Sequence, residues 1–190
     1  VNMTVHYVMD DGSDAPSDNK QTLSFTEDGI QDLVTKDITW TPADSQTFKD
    51  VVTPKLTGYT PDQDKAAGQT VNFGDTDINV TVHYNADAQT ATITYIDDTD
   101  NKTLGSDNQN GKFNQVITFE HDPAEVIKGL EEKGYVFVSN TFENQKYQAD
   151  NKSNSFEVHL KHGTKNVSRD HNVNMTVHYV MDDGSDAPSD

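Results

Sequence analysis

Apolar and polar residues alternate in several stretches of the chain, and this alternation predicts the strands. In Val1–Met9 the odd positions are apolar and most even positions are polar, as in a strand with one buried face. A turn-rich stretch follows before the alternation resumes in Gln21–Thr26, so we expect a hairpin. In the second half, Thr92–Asp97 and Gln115–Phe119 are predicted to form the equivalent arms, joined by a loop over 98–114.

Each half closes with another alternating strand, which has apolar residues at every second position of Ile78–Tyr84 and of Phe156–Leu160. If the first and last strands of a half are parallel neighbours, their polar faces line up. We therefore expect a ladder on the solvent face of the first half, with Asn2, Thr4 and His6 beside Asn79, Thr81 and His83.

Helical periodicity appears once in each half. In the second half Asp122 can cap a helix and Pro123 suits its first position. An apolar stripe at Val126, Ile127 and Leu130 then faces one way. In the first half a stripe at Phe48, Val51 and Val52 predicts a helix of about two turns that ends at Pro54.

The predicted order in each half is therefore hairpin, helix, strand, strand. A hairpin, one crossing helix and a last strand beside the first is the β-grasp, or ubiquitin-like, arrangement. The predicted fold class is α+β.

A long exact repeat shows how the chain is organised. Val1–Asp18 recurs without a change as Val173–Asp190, an offset of 172 residues. The chain is thus one unit plus the first strand and turn of the next. Because residues 173–190 have no domain of their own behind them, we expect this strand to pack on another surface, for example by domain swapping into a neighbouring molecule.

A weaker repeat divides the unit into two related domains. The tyrosine of a Gly-Tyr pair lies 24 residues before the histidine of a Val-His pair in both halves, at Tyr59 and His83 and at Tyr135 and His159. The first half carries about a dozen extra residues around Trp40. The predicted domains are residues 1–86, with an insertion near Trp40, and residues 89–163; their short linker predicts an elongated arrangement.

Composition excludes several classes of function. The chain has 14 Lys or Arg and 32 Asp or Glu, a formal charge of −18, which disfavours nucleic acid and anionic lipid as partners. It has no cysteine, so disulfides, thiolate nucleophiles and cysteine-based metal sites are absent. No apolar run is long enough to cross a membrane, and no segment has the pattern of a signal peptide. The low mean hydropathy of −0.79 indicates a thin core.

The seven histidines do not indicate catalysis. His159 and His162 are three residues apart on a predicted strand, so their side chains should leave opposite faces and not share a metal ion. The nucleophile-elbow pattern G-x-S-x-G does not occur. We therefore expect no enzymatic activity.

Two acidic turns offer oxygen ligands of the kind that calcium accepts. One contains Asp10, Asp11 and Asp14; the other contains Asp97, Asp98 and Asp100. Neither matches the calcium loop of an EF-hand, and the same residue types are common in ordinary turns. The sequence therefore predicts no required cofactor, with calcium as the one candidate.

Two aromatic residues and one strand are candidate ligand contacts. Trp40, the only tryptophan, is either an exposed platform for a sugar or a protein, or a buried anchor of the insertion; the scarcity of large apolar residues favours the anchor. Tyr147 lies in a polar loop where we expect exposure. Asn79, Thr81 and His83 on the predicted polar ladder are further candidates. The tyrosines at inward strand positions are expected in cores: Tyr7, Tyr84, Tyr95 and Tyr179.

The sequence resembles the mucus-binding repeats of the giant cell-wall adhesins of lactobacilli. The second half is similar to the mucin-binding domain in Ala91–Ser106, Gly134–Phe137 and Phe156–Thr164, and the first half to its companion domain in Gln46–Phe48, Gly58–Pro61 and Asp77–Tyr84. The resemblance implies β-grasp domains in an extracellular, sortase-anchored surface protein that binds mucin glycoproteins or glycans and, in some repeats, immunoglobulins.

We thus expect an adhesin repeat whose partners are host mucin and adjacent repeats of the same protein, with avidity rising with copy number. Mucin glycans are often anionic, so the charge of −18 argues against simple electrostatic capture. Immunoglobulin capture by an exposed sheet edge is a second mode of binding. The alternative is a structural spacer that binds nothing.

Overall fold

The computed structural model describes residues 1–189, which form two sheet domains and an extended tail. The first domain contains the strands β1 (Asn2–Met9), β2 (Asn19–Thr22), β3 (Asp28–Gln31), β4 (Ile38–Thr41), β5 (Gln46–Thr47), β6 (Val51–Val52), β7 (Tyr59–Pro61), β8 (Lys65–Ala66), β9 (Thr70–Val71) and β10 (Ile78–Ala86). The second contains β11 (Ala88–Asp97), β12 (Lys102–Lys112), helix α1 (Pro123–Glu131), β13 (Tyr135–Asn140), a 3₁₀ turn (Asn151–Asn154) and β14 (Ser155–His162).

The two main sheets share one topology. The strand order is β2-β1-β10-β7 in the first domain and β12-β11-β14-β13 in the second. In both, the two central strands are parallel, as predicted for the first and last strands of a half. Each sheet has its own apolar core, built from the inward positions of the central strands, among them Met3, Val82 and Tyr84 in one and Ile93, Tyr95 and Val158 in the other.

The helix predicted in the second half is confirmed. The Asp122 carboxylate accepts a hydrogen bond from the Ala124 N–H, and Pro123 is the first helical residue. The predicted stripe packs on the core of the second domain through Val126, Ile127 and Leu130.

The helix predicted in the first half is wrong. Phe48 and Val51 are buried as the stripe required, but the segment is extended and forms β5 and β6, which pair with β9 and β8. Its backbone groups bond to other segments: the Gln21 side chain bonds both the N–H and the C=O of Lys49. These bonds replace those of a helical turn. The described chain is mostly β, and α1 is its single α-helix, which corrects the α+β class.

The loop predicted over 98–114 is also wrong. Most of it is β12, an edge strand that pairs with β11 along its length, and the turn is confined to 98–101. Conversely, Gln115–Phe119 is not a strand, although Ile117 and Phe119 are buried. The reason is that β12 has mainly polar side chains at an edge, so it shows no apolar alternation. Its pairing relies on the backbone and on side-chain bonds such as Thr92 Oγ1 to Asn108.

The polar ladder of the first domain exists but is shifted by two residues. Thr4 lies beside Asn79, His6 beside Thr81, and Val8 beside His83. Asp77 accepts hydrogen bonds from both the backbone and the side-chain amide of Asn2, at 2.7 and 3.0 Å, which holds the start of β1 near the residue that precedes β10.

The repeated tail does not pack as a strand. Val173, Met175 and Tyr179, inward in the strand prediction, are exposed, and the described residues 164–189 contain no strand. The described tail therefore has no strand partner within the same chain, whereas domain swapping into a neighbouring molecule stays a prediction. No helix among the described residues is long and apolar enough to cross a membrane.

Candidate functional site

A protruding hairpin of the first domain exposes a cluster of large apolar side chains. The hairpin consists of β3, β4 and the loop 32–37, and its two strands pair only with each other. It exposes Ile30, Leu33, Val34, Ile38 and Trp40. We call this hairpin, residues 28–41, the Trp40 hairpin. Ile38 and Trp40 share one face of the hairpin, and Ile30 lies on the other. Exposed apolar groups that lie side by side are typical of interaction surfaces.

The loop of this hairpin is held by its own backbone and by one carboxylate. Asp32 Oδ1 accepts hydrogen bonds from the N–H groups of Val34 and Thr35, and the Asp32 N–H donates to the carbonyl of Asp37. Lys36 adopts a positive φ of 69°. The sequence therefore specifies a closed loop, and Leu33 and Val34 are displayed at its tip.

The six-membered ring of the Trp40 indole lies against Gly29 on the opposite strand. It is paired with Gly29, and a Cβ on Gly29 would come within 2.7 Å of the indole Cε3. Glycine therefore provides the space for the ring, which is 57 % exposed. The expectation that Trp40 is a buried anchor is wrong, because the insertion forms a hairpin of its own instead of folding onto the core. The indole thus contacts the opposite strand through its six-membered ring, and more than half of the side chain is open to solvent.

A second structured region is the junction between the two domains. Only Asp87 separates β10 from β11, and its N–H donates to the carbonyl of Gly58. The Phe113 N–H donates to the carbonyl of Asp87. The Phe113 ring meets Tyr59 edge-on, with centroids 5.2 Å apart. Backbone bonds and aromatic packing thus fix the second domain against the first.

The acidic turn after β1 forms part of the same junction. Asp11 accepts hydrogen bonds from the Ser13 hydroxyl at 2.6 Å and from the Tyr59 hydroxyl at 2.8 Å. The bonds to Ser13, with those from Tyr59 and the Asn114 side chain, lower the pKa of Asp11 to about 2. Beside these groups lies an open cleft of about 510 Å³, lined mainly by polar residues including Asp10, Lys112 and Lys146.

One histidine–aspartate pair occurs at the same place in both domains. His83 Nδ1 lies 3.3 Å from Asp10 Oδ1, and His159 Nδ1 lies 2.6 Å from Asp98 Oδ1. Each pair joins the last strand of a domain to the residue that follows its first strand. The bond to Asp98, with a weaker contribution from Glu157, raises the pKa of His159. These pairs connect parallel strands, and the sequence alone did not indicate them.

A buried carboxylate occupies the equivalent end of the second domain. Asp97 is fully buried; it accepts the Thr99 N–H at 2.9 Å and lies 3.0 Å from His162 Nε2. Burial by itself raises the pKa of Asp97, but the bond from the Thr99 N–H and the neighbouring His162 outweigh it, so the pKa lies below its usual range. Asp100 lies 3.8 Å from the same ring nitrogen.

Most of the candidate calcium ligands already bond to a histidine or to the backbone of their own turn. Asp97, Asp100 and His162 each offer a ligand atom, and these atoms lie within 4.8 Å of one another. Asp10, Asp11 and Asp98 bond to a histidine or to turn groups, and Asp14 is exposed. The carboxylates thus have structural partners of the kind that ordinary acidic turns provide. Calcium binding stays a prediction.

The remaining candidate contacts divide by exposure. Tyr147 is only 1 % exposed, with its ring over Gly111 and its hydroxyl bonded to the carbonyl of Gln109, so the expectation that it contacts a ligand is wrong. The glycine in β12 makes room for the ring, as Gly29 does for Trp40. Asn79, Thr81 and His83 are exposed on β10, as expected.

Sequence reasoning missed the Trp40 hairpin and the role of Phe113. The hairpin had a signal, since apolar residues alternate in Ile38–Thr41 and turn-forming residues precede them. Phe113 had none, because a single aromatic residue in a polar stretch does not show which domain it contacts.

Comparison with known families now identifies the class of protein. Residues 1–88 match the Muc B2-like domain, and residues 89–162 match the mucin-binding domain. Together they define an adhesin-type repeat built of two tandem domains, from families found in extracellular surface adhesins.

Two proteins of known structure have similar sequences. A MucBP domain of an adhesion protein from Pediococcus pentosaceus is 34 % identical, with 45 % of this chain and 96 % of that chain covered and a TM-score of 0.39. A MucBP domain from Lactobacillus acidophilus is 32 % identical, with 46 % and 90 % covered and a TM-score of 0.41. The chain belongs to the mucin-binding, or MucBP, family.

A longer relative is a type 2 repeat of the mucus-binding protein MUB from Lactobacillus reuteri. It is 30 % identical over 46 % of this chain, with a TM-score of 0.39, and the match spans about half (48 %) of that repeat. The comparison with curated proteins gives no match.

Proposed function

We propose that this chain is an extracellular adhesin repeat that binds mucin glycans, and that the Trp40 hairpin is the contact surface. The observation that carries the proposal is the geometry of Trp40: its indole is supported by Gly29 and is 57 % exposed. A fixed aromatic face can receive the C–H face of a sugar ring with little further loss of side-chain freedom. Family membership is consistent with this class of ligand.

The chemistry next to Trp40 suits an uncharged carbohydrate surface. Gln31 lies on the same face of the hairpin as Trp40 and is exposed, so its amide oxygen can accept a hydrogen bond from a sugar hydroxyl, whereas Thr39 and Thr41 lie on the opposite face. The charge of −18 disfavours simple electrostatic attraction to anionic mucin, so stacking and hydrogen bonds must supply the affinity. A single contact of this kind is weak, and linked copies supply avidity. The exposed face of β10, with Asn79, Thr81 and His83, is a second candidate contact.

Purified mucin and a glycan array test the proposal directly. Trp40→Ala should lower the affinity for the strongest-binding glycan or for immobilised mucin by about tenfold or more, as for a central aromatic contact. Trp40→Phe should retain part of it. Phe73→Ala is the control, because Phe73 is an equally exposed aromatic residue, at 54 %, outside the hairpin. Binding unchanged in Trp40→Ala would reject this surface.

Immunoglobulin binding through a sheet edge is a second candidate function. The edge strand β13 exposes three consecutive large apolar residues, Val136, Phe137 and Val138. An edge of this kind can accept a strand from a partner. Val138 lies at the irregularity in the pairing with β14, so proline should be tolerated there. Val138→Pro should abolish immunoglobulin binding and leave glycan binding unchanged.

We also propose that each domain is a β-grasp variant and that the parent protein is anchored to the cell wall. The shared strand order with two parallel central strands supports the first proposal, and the family resemblance supports the second. A structural spacer is the alternative function. Failure of the intact chain to bind mucin, glycans or immunoglobulin at high micromolar concentration would favour the spacer.

A further inference from the structure

The strand registers relate the two main sheets to each other residue by residue. Met9 pairs with Tyr84 in the first domain, and Asp97 pairs with Leu160 in the second. A residue in or near the first two strands of the first domain therefore corresponds to the residue 88 positions later in the second domain. For residues in or near the last two strands of the sheet, the offset is 76. The Asp87–Gly58 backbone bond of 2.9 Å recurs at those offsets as the bond of 2.8 Å from the Gly163 N–H to the Gly134 carbonyl.

This correspondence gives the junction residues counterparts at the two outer ends of the unit. Gly58 and Tyr59 at the junction correspond to Gly134 and Tyr135 at the far end of the second domain. Phe113 corresponds to Phe25 at the near end of the first domain, because Thr22 lies opposite Asn2 as Asn110 lies opposite Thr90.

The far end of the second domain is open where the junction is filled. A Cβ on Gly58 would meet Phe113 at 2.4 Å, whereas a Cβ on Gly134 would have no neighbour within 4 Å. An open cleft of about 320 Å³ lies there, lined by Lys133, Gly134, Tyr135, His162 and Gly163. We call it the distal cleft.

The near end of the first domain carries a matching open surface. A cleft of about 500 Å³ is lined by residues including Val1, Leu23, Phe25, Phe73 and Asp75. Its aromatic groups can supply the ring that the distal cleft lacks. Lys133 at one end and Asp75 at the other have opposite charges.

From this correspondence and from the two open end surfaces, we propose that the distal cleft binds the first domain of the next repeat. The contact would have the same geometry as the internal junction between the first and second domains. The occupant is a second copy of this unit, since the chain continues into a copy of its own first strand at Val173. This docking does not depend on glycan binding by the Trp40 hairpin.

The linker permits this docking but does not impose it. Two residues, 88 and 89, separate Asp87 from Thr90 at the internal junction, whereas ten residues, 164–173, separate Gly163 from Asn174. Ten residues reach about 33 Å when extended, so the next domain has the freedom to move away. The contact surfaces, and not the linker, must therefore hold the next domain in position.

Distance measurements on two consecutive units in one chain test the proposal. The chain has no cysteine, so spin labels can be attached at chosen sites. One pair joins Lys161→Cys of the first unit to Lys20→Cys of the second. The reference pair, Asn85→Cys and Asn108→Cys within one unit, occupies the corresponding positions across the internal junction. All four residues are exposed.

We expect the two pairs to give the same mean distance and similarly narrow distributions. A broad distribution for the pair between units would overturn the proposal. Lys133→Glu in the first unit combined with Phe73→Ser in the second should broaden that distribution and leave the reference pair unchanged. Both residues are exposed, so the melting temperature should not fall. A distribution that stays narrow in this double variant would reject the surfaces assigned here.

Discussion

The ring of Phe113 lies directly on Gly58, across the boundary between the two domains. Gly58 has a φ of +80°, and a Cβ there would lie 2.4 Å from Phe113 Cγ. Glycine at position 58 therefore serves both the backbone conformation and the contact between domains.

Gly58→Ala should destabilise the protein by about 1–3 kcal/mol, because it adds steric conflict with Phe113 to the strain of a positive φ. Gly134→Ala is a matched control, since Gly134 has a φ of +98° and no neighbour near its Cβ position. Urea unfolding of both variants measures the difference. Equal losses would show that a methyl group at position 58 causes no steric conflict with Phe113.

Trp40 should report an exposed environment. We expect its fluorescence to be strongly quenched by acrylamide in the native chain and nearly as much after unfolding. Trp40→Ala should change the free energy of unfolding by no more than about 0.5 kcal/mol, as for a surface residue. A large loss of stability would contradict an indole that rests on Gly29 without anchoring the core.

Tyr147 should behave as a core residue. Tyr147→Ala removes a buried ring and should cost about 3–5 kcal/mol, whereas Tyr147→Phe removes only the bond to Gln109 and should cost about 1 kcal/mol. Tyr179→Ala, in the exposed tail, is the control and should have almost no effect. Thermal unfolding measures the three losses of stability, which should be largest for Tyr147→Ala and smallest for Tyr179→Ala.

The His159–Asp98 pair should make stability depend on pH. Because the pKa of His159 is raised in the folded state, the folded protein binds the His159 proton more tightly than the unfolded protein does. In the unfolded state the pKa of a histidine is about 6.5. The pair's contribution is therefore complete below that pH and is lost as the pH rises through the folded pKa.

His159→Gln should consequently lower the melting temperature more at pH 5.5 than at pH 8.5. The control is His121→Gln, since His121 is largely exposed beside Asp107. A loss of equal size at both pH values would show that the charge of His159 makes no contribution.

Calcium should not be required for folding. The acidic turns are already held by bonds such as those from Ser13 to Asp11 and from Thr99 to Asp97, so a chelator should leave the melting temperature unchanged. If added calcium raises the melting temperature, Asp100→Asn should remove the rise, because Asp100 is the exposed carboxylate of the group with Asp97 and His162. A fall caused by the chelator alone would contradict the prediction.

The sequence predicted those elements whose signals are local. The strands β1 and β10 are predicted correctly from their alternation of apolar and polar residues. Helix α1 is predicted correctly from its N-cap, its first proline and its apolar stripe. All of these signals lie in residues close together in the sequence. The failures were at Phe48–Val52 and at β12. In the first, bonds to Gln21 and to distant strands prevail over the helical spacing; in the second, an edge strand has no apolar alternation to detect.

The candidate sites follow the same division. The sequence could single out Trp40 as the only tryptophan and Asp11 as a turn residue. It could not show that Gly29 provides space for the indole or that Tyr59 bonds Asp11, because those partners are distant in sequence. The sequence predicts an exposed Tyr147 for the same reason, because Gly111, which makes room for its ring, lies 36 residues earlier.

The two identical 18-residue segments separate local from tertiary effects. In both copies the serine N–H and hydroxyl bond the aspartate two residues before, at 3.0 and 2.6 Å, in Asp11–Ser13 and in Asp183–Ser185. The glycine between them has a φ of 75° in one copy and 76° in the other. The sequence alone thus specifies this turn, because the hydrogen bonds found in both copies join residues no more than three positions apart.

The strand before that turn forms only in the first copy. Asn2–Met9 is a strand because β10 and β2 satisfy its backbone groups and the core covers its inward side chains. The same residues at 174–181 are not a strand, and Met175, Tyr179 and Met181 are exposed. The sequence by itself determined the turn, the alternation and the capped helix. Only the tertiary structure decided which strand forms and which glycine receives an aromatic ring, because these depend on partners brought together by folding.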